Sequence, residues 1–360
     1  MAVYKIFPEK DTTIYSAYPN TNTGLDQILE IQNELSSSNN DAQVSRFLIT
    51  FPTSQIQDVI DTKVTGNYKT FLKLFVANAT SLPDNYTLNF YPVSQSWEEG
   101  IGRFLYNPAD TDGSSWIQRN NNNTWLTSSF AANSTGSYQL DSIGGATWRT
   151  NYIASQSFVV NSTKDVNADV TNIVTQFYSE TIPNDGILVK MEGYEYNPSS
   201  SYSLKYFSRN THTIYPPQLE IRWDDSSYSI GGLSILSNDN TVITLGNNVG
   251  QYNTDTVYNF RVNARPTYPV RQFATASVYT LNSALPSSSY YAVQDLDTGE
   301  YVIDFDDNYT KVSCDPQGNY FILYMAGLQP QRYYKILIKS SFSDGSTVVY
   351  DNNYTFKINK

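Results

Sequence analysis

The chain has one cysteine, Cys314, and one histidine, His212. A lone cysteine cannot close an internal disulfide, and this supply of nitrogen and sulfur ligands cannot build a structural zinc site. Charged residues make up only 16% of the 360 residues, against about 25% in an average soluble protein. No apolar run approaches the roughly 18 residues of a membrane-spanning helix. The opening MAVYKIFPEKDTTIYSAYP has neither the basic nor the apolar region of a secretory signal. No Gly-x-Ser-x-Gly turn is present. The GIG of residues 100–102 is followed by RFLY, without the helix opening or Lys-Ser/Thr of a phosphate loop. The net charge of -11 repels phosphate backbones and anionic lipid, so neither nucleic acid nor a membrane is the expected partner.

What replaces charge is tyrosine (30 residues), phenylalanine (17) and a wealth of Asn, Ser and Thr. Tyr, Phe and Thr favour strands, and Asn, Ser and Gly favour turns. The expected class is all-β. Short alternating or apolar runs recur at residues 3–7, 11–15, 27–32, 45–51, 71–77, 86–92, 156–160, 186–192, 204–207 and 218–223. Pro52 closes the run at 45–51. Residues 169–178 are the exception. Val170, Ile173, Val174 and Phe177 fall at helical spacing there, with Asp169 or Thr171 as the cap. Residues 94–150 read as a loop-rich insertion. They hold Trp97, Trp116, Trp125 and Trp148 and the Asn run 120–123. Past residue 224 the segment DDSSYSIGG marks a change. Residues 225–262 are either a linker or the first strands of a last domain over 263–360, where short strands at intervals of roughly 8–12 residues indicate a sandwich.

Several of these segments, in order, resemble the DNRLRE family of carbohydrate-binding-module-like sandwiches over residues 1–224. They are DTTIYSAYPNTNTGLDQILEI (11–31), SRFLITF (45–51), FLKLFV (71–76), LNFYPVSQSWEEG (88–100), DVTNIVTQFYSETIPNDGILVK (169–190) and YPPQLEIRW (215–223). The stretch SRNTHTIYPPQLEIRWDD (208–225) also resembles virion structural proteins of contractile-tailed phages. GLQPQRYYKILIK (327–339) is similar to the late turn-into-strand of fibronectin type III or immunoglobulin-like domains. The resemblances imply a jelly-roll-like β-sandwich followed by one or two immunoglobulin-like sandwiches.

Candidate chemistry gathers in the insertion. Trp97, Trp116 and Trp125 with Glu98 and Glu99 can be read as rings for sugar faces with carboxylates for hydroxyls. Buried anchors that tie the insertion down are the favoured reading, since that is the commoner fate of tryptophan. A glycosidase would draw on Glu98, Glu99, Asp110 and Asp112, but needs two carboxylates across a cleft, one in apolar surroundings. Nothing in the sequence supplies those. A serine triad would have to use His212, and Cys314 has no partner base. Calcium is the one ion with ligands to hand, among Asp11, Asp26, Asp41, Asp165 and Asp169. The family resemblance implies a structural calcium, with Asp11, Asp165 and Asp169 as its expected ligands. No twelve-residue calcium loop is present.

The expectation is therefore a non-catalytic structural or appendage subunit of a tailed phage particle. It would be made in the host cytoplasm, be present in multiple copies or as a homo-oligomer, and dock other virion proteins. The alternative is a glycan-binding adhesion module that recognises host polysaccharide.

Overall fold

The computed structural model describes residues 2–37, 42–126, 144–195, 197, 201–254, 256–269 and 282–360, and the backbone of 138–140. The fold is all-β and sandwich-like, with 47% of the chain in strands. Among the described residues, no helix is long and apolar enough to cross a membrane. The chain forms two compact units. One holds Ile6–Thr62 and Lys69–Glu220, and the other Met1–Lys5, Lys63–Tyr68 and Ile221–Lys360.

The N-terminal unit is built on an eight-stranded sheet. In order across it lie Ala154–Val159, Asn85–Pro92, Ile187–Glu192, Ala42–Thr50, Ile28–Leu35, Tyr202–Phe207 and Val76–Thr80, with Lys10–Tyr15 also paired to Ala42–Thr50. Side chains alternate between its faces because the pleat has period two. The register sets Phe47, Val189 and Phe90 in one buried row on the inner face. A second sheet pairs Tyr68–Leu74 with Val166–Asp169 and buries Leu72, Leu74, Val166 and Ala168.

Two short helices lie against each other, joined by a hydrogen bond from the Tyr178 hydroxyl to Asp61 (2.6 Å). The helix Thr171–Tyr178 falls where helical spacing placed it, and buries Ile173, Val174 and Phe177. Its N-cap is Val170, with no side-chain cap. Asp169 instead accepts the Thr171 N–H (3.0 Å). The helix Thr53–Thr62 was not expected. Its buried Ile56, Val59 and Ile60 are only three apolar positions in a polar decapeptide. Pro52 does more than end a strand, since its carbonyl accepts the first helical N–H bond, from Ile56 (3.1 Å).

The outer face of the large sheet is also apolar, at Ile14, Val44, Leu48, Tyr91 and Leu188, and would be exposed in a plain sandwich. The insertion folds over it and packs Trp97, Trp116, Trp125 and Trp148 on that face. Arg46 passes through this layer. Its Nε and Nη2 donate to Glu195 at 2.6 and 3.0 Å, and its Nη1 donates to the Gly145 carbonyl at 2.7 Å. The guanidinium lies 5.0 Å from the rings of both Trp116 and Trp148. Gly145 is required here: its φ is +86°, and a Cβ would sit 2.5 Å from Arg46 Nη1.

The C-terminal unit is an immunoglobulin-like pair of sheets. One contains Thr241–Leu245, Val257–Pro266, Gly318–Tyr324 and Ser313–Asp315. The other contains Gln251–Asn253, Thr347–Asn359, Tyr333–Ser341, Ser289–Asp295 and Tyr301–Ile303. Residues 241–262 thus pair into this unit. Phe260, Phe321 and Tyr291 stack at its centre, with centroids 5.2 and 4.3 Å apart. In GLQPQRYY, the Tyr334 hydroxyl accepts the Gln329 N–H (2.8 Å) and donates to its carbonyl (3.2 Å). That is the tyrosine-corner device of immunoglobulin-like folds.

Replacing Arg46 by Leu leaves Glu195 buried with Lys190, 2.9 Å away, as its remaining counter-charge among the described residues. The expected cost is about 3–5 kcal/mol, read as a shift of the N-terminal unit's urea transition. A loss below about 1 kcal/mol would show that the pair is replaceable.

Candidate functional site

Four segments singled out by sequence converge at one corner of the N-terminal unit: Asp11, the turn 22–26, the segment 99–102, and residues 208–210. Asn22 is the hub. Its side-chain nitrogen donates to the carbonyls of Glu99 (2.7 Å) and Ser114 (2.8 Å), and its side-chain oxygen accepts the N–H groups of Gly24 (3.1 Å) and Gly102 (2.8 Å). All four amide valences are used, which a fully buried amide requires. The backbones come so close that a Cβ on Gly24 would sit 2.2 Å from the Glu99 carbonyl oxygen. Ser208 and Asn210 fasten the turn from the other side, through the carbonyls of Asp26 and Gly24.

Glu99 grips the Arg209 guanidinium with both oxygens (3.0 and 2.9 Å) and accepts the Asp11 N–H (3.0 Å). Asp11 accepts the Arg209 backbone N–H at 2.7 Å. Burial pushes the Asp11 carboxyl up to about 8, opposed by that N–H and by the Arg209 charge, and reinforced by Glu99. Lys10 lies 4.4 Å over the Trp97 ring and donates to the Trp97 carbonyl. Burial lowers its pKa, against the pull of Glu9, Asp185, Glu99 and Glu98.

The tryptophans offered as a sugar platform are buried: Trp97, Trp116 and Trp125 pack on the sheet, and their rings are not open to solvent. Their area is worth more inside than out. Glu99 is held by Arg209, and Glu98 is exposed, bonded through its N–H to the Arg119 carbonyl. Asp110 accepts the Asp112 N–H, and Asp112 accepts the Asn121 amide. The carboxylates of Glu99, Asp110 and Asp112 serve the loop. The expected calcium ligands do not converge. Asp11 faces Arg209, Asp165 accepts the Val76 N–H (2.7 Å), and Asp169 pairs with Lys69 (2.8 Å). Among the described residues no group of three such side chains could hold a metal. Asp11, Asp165 and Asp169 therefore do not form one carboxylate cage, and Asp41 lies outside the described residues. His212 is exposed. Cys314 is buried, and burial followed by the Asp315 charge pushes its thiol up, away from a reactive thiolate.

What the corner presents is the exposed ring pair of Tyr18 and Phe104, with Tyr106 exposed two residues further along, which sequence reasoning passed over. Tyr18, Phe104 and Tyr106 are 52%, 39% and 47% exposed, and Leu105 is 90% exposed. Phe104 lies 5.2 Å from Tyr18 edge-on and 4.9 Å from Tyr15. The Leu25 N–H donates to the Gly102 carbonyl (2.9 Å), and the Phe104 N–H reaches Asp26 (3.2 Å). Burial pushes the Asp26 carboxyl up, opposed by the Phe104 N–H and Arg103 and aided by Glu30. A signal was available in the sequence: the apolar run FLY (104–106), set between Gly102 and Asn107-Pro108, is neither alternating nor helical in pattern.

Residues 2–131, which contain these rings, match the sequence model of carbohydrate-binding module family 96. The match covers about a third of the chain, and this stretch is similar to a carbohydrate-binding module. No curated protein matches the chain. Among solved structures, it is similar to a DUF4785 family protein from Legionella pneumophila subsp. pneumophila, at 8% identity and a TM-score of 0.18, over 98% of this chain. The chain spans 65% of the length of that protein.

Two outcomes test the corner. Asn22→Ala strands four backbone partners and should cost about 3 kcal/mol or more, with faster hydrogen exchange at Gly24 and Gly102. Asp11→Asn tests the buried carboxyl. Its folded pKa lies above the unfolded value, so its stabilisation is complete below about pH 4 and lost as pH rises through about 8. The Asn variant should therefore gain stability relative to the native chain between those limits and no further above them. A pH-independent difference in urea unfolding would remove Asp11 from that role.

Proposed function

We propose that the protein is a non-catalytic carbohydrate-binding protein whose N-terminal unit receives sugar rings on Tyr18, Phe104 and Tyr106. The observation that carries this reading is the exposure of these three rings within residues 2–131, the stretch matched by the carbohydrate-binding family. The flat apolar face of a sugar packs on an aromatic ring, and polar neighbours then select its hydroxyls. Asn20, Arg103 and Asn107 are exposed next to the rings in the chain. Tyrosine suits the task because it brings contact area at little entropic cost.

The surface on which such a module would work is, in this reading, a tailed-phage particle that engages host polysaccharide. Support for that setting is the DNRLRE-like order of segments and the stretch 208–225. One feature favours a second reading, docking to another virion protein. Leu105 and Ile101 (58% exposed) are aliphatic, and aliphatic knobs fill protein pockets better than they stack on sugars.

The test is an array of host-surface oligosaccharides followed by calorimetry with the hits. Tyr18→Ala and Tyr106→Ala should each weaken binding by about tenfold or more, with unchanged melting. Binding that ignores both substitutions, or no hit at all, would overturn the sugar reading. Loss of Leu105→Asp protein from purified particles, with sugar binding intact, would establish the docking reading beside it.

A further inference from the structure

The C-terminal unit carries an aromatic surface of its own. In the strand Tyr333–Ser341, Ile336 and Ile338 point into the core, so Lys339 lies on the outward face. The register sets Tyr290 directly across from it. The Lys339 ammonium lies 5.0 Å from the Tyr290 ring and 5.1 Å from the Phe305 ring. The Tyr301 ring is 6.0 Å from that of Phe305. Tyr301 is 45% exposed, and Tyr290 and Phe305 are half-buried. Tyr301, Phe305, Lys339 and Tyr290 thus form a continuous strip.

The strip rests on a loop whose backbone is already satisfied. Asp306 accepts the N–H groups of Asn308 (2.7 Å) and Tyr309 (3.0 Å), and its own N–H donates to the Thr310 hydroxyl (2.7 Å). The Thr310 carbonyl accepts the Tyr291 N–H (2.9 Å), and the Phe305 N–H donates to the Asp304 side chain (2.7 Å). Rings held this way lose little freedom on binding. The same loop exposes Asp304, Asp307 and Asn308, and Lys311 bridges to Tyr290. Asp306 pairs with Arg222 (3.8 Å), and exposed Glu300, Asp304 and Asp307 outnumber Lys339 and Lys311, so the surface has no positive excess to attract a polyanion. The exposed Tyr301 ring and the partly exposed edges of Phe305 and Tyr290, bordered by carboxylates, an amide and ammonium groups, suit a hydroxyl-rich ligand without charge.

We propose that Tyr301, Phe305 and Tyr290 form a second carbohydrate-contact surface, on the C-terminal unit, that takes a neutral sugar chain. The proposal rests on the reading of the protein as carbohydrate-binding and extends it beyond the family-matched stretch. The test uses the full chain and the neutral oligosaccharide giving the strongest array signal, titrated by calorimetry, with melting curves to verify folding. Tyr301→Ala should weaken binding at least fivefold or halve the sugar bound per chain. The Tyr18→Ala/Tyr106→Ala double variant should retain residual binding, with ligand-dependent hydrogen-exchange protection at 303–310. Because Phe305 is partly buried, Phe305→Leu serves as the second variant: it keeps an apolar filler and removes the ring. If Tyr301→Ala and Phe305→Leu titrate like the native chain while the double variant binds nothing, this proposal fails and the N-terminal site stands. If no oligosaccharide binds the native chain, both fail. If these substitutions abolish a protein contact but no sugar contact, the strip is a docking surface and the proposal is overturned.

Discussion

Asn22 spends a buried side-chain amide on four backbone partners, and the N-terminal corner depends on that one saturated group. An amide left unpaired in such a place costs about 1–3 kcal/mol per lost partner, so the loop must return to the same geometry whenever it folds. That requirement explains two sequence patterns at once. The Asn-x-Gly of residues 22–24 exists because the amide needs the Gly24 N–H, and because no Cβ fits against the Glu99 carbonyl. The WEEG of residues 97–100 supplies that carbonyl, and Glu99 turns to hold Arg209. The loop beyond is set by the same contacts, since Gly102 is bonded to both Asn22 and Leu25 and Phe104 to Asp26. The loop that carries Phe104 is therefore held by a polar group beneath it.

The aromatic residues divide the work by size and polarity. The insertion's tryptophans cover an apolar sheet face that an ordinary two-layer sandwich would leave wet. Arg46 runs between two of them with its charge matched by Glu195. A planar guanidinium can stack on indoles and fork onto a carboxylate at the same time, and lysine cannot do both. Phenylalanine and tyrosine fill the cores at Phe47, Phe90, Phe260, Phe321 and Tyr291, and a few of them reach the rims: Tyr18, Phe104 and Tyr106 on one unit, Tyr301, Phe305 and Tyr290 on the other.

Much of the architecture was legible because strand periodicity is local. Tyr202–Phe207 alternates buried and half-buried residues, and the helix at 171–178 announces itself through Ile173, Val174 and Phe177. The helix Thr53–Thr62 did not, because its stability comes from the surface it buries rather than from its polar sequence. The site was legible in its scaffold and not in its surface. Asn22, Gly24 and Glu99 stood inside the segments that carried the family resemblance, and Arg209 inside the stretch 208–225 that resembles virion proteins. Tryptophan drew the functional reading to Trp97, Trp116 and Trp125 because composition says nothing of which way a ring points. Their burial is decided by a non-local fact, the apolar outer face made by Ile14, Leu48 and Leu188 from strands far apart in the chain. The same blindness applied to Asp11, Asp165 and Asp169: oxygen supply was visible, convergence was not.

The scarcity of charge fits the proposed function in a specific way. A net charge of -11 sets up a repulsion toward polyanions that reaches about a Debye length, near 10 Å at moderate salt. Ring stacking and hydrogen bonds to hydroxyls act only at contact and carry no such dependence. A protein that recognises neutral sugars gains nothing from long-range steering and needs rings already in place when the ligand arrives. Both aromatic surfaces meet that need through backbone groups that are already paired, at Asn22 in one unit and at Asp306 in the other. Individually shallow, such surfaces bind weakly; a chain with more than one, displayed in copies, converts weak contacts into avidity without any change of shape.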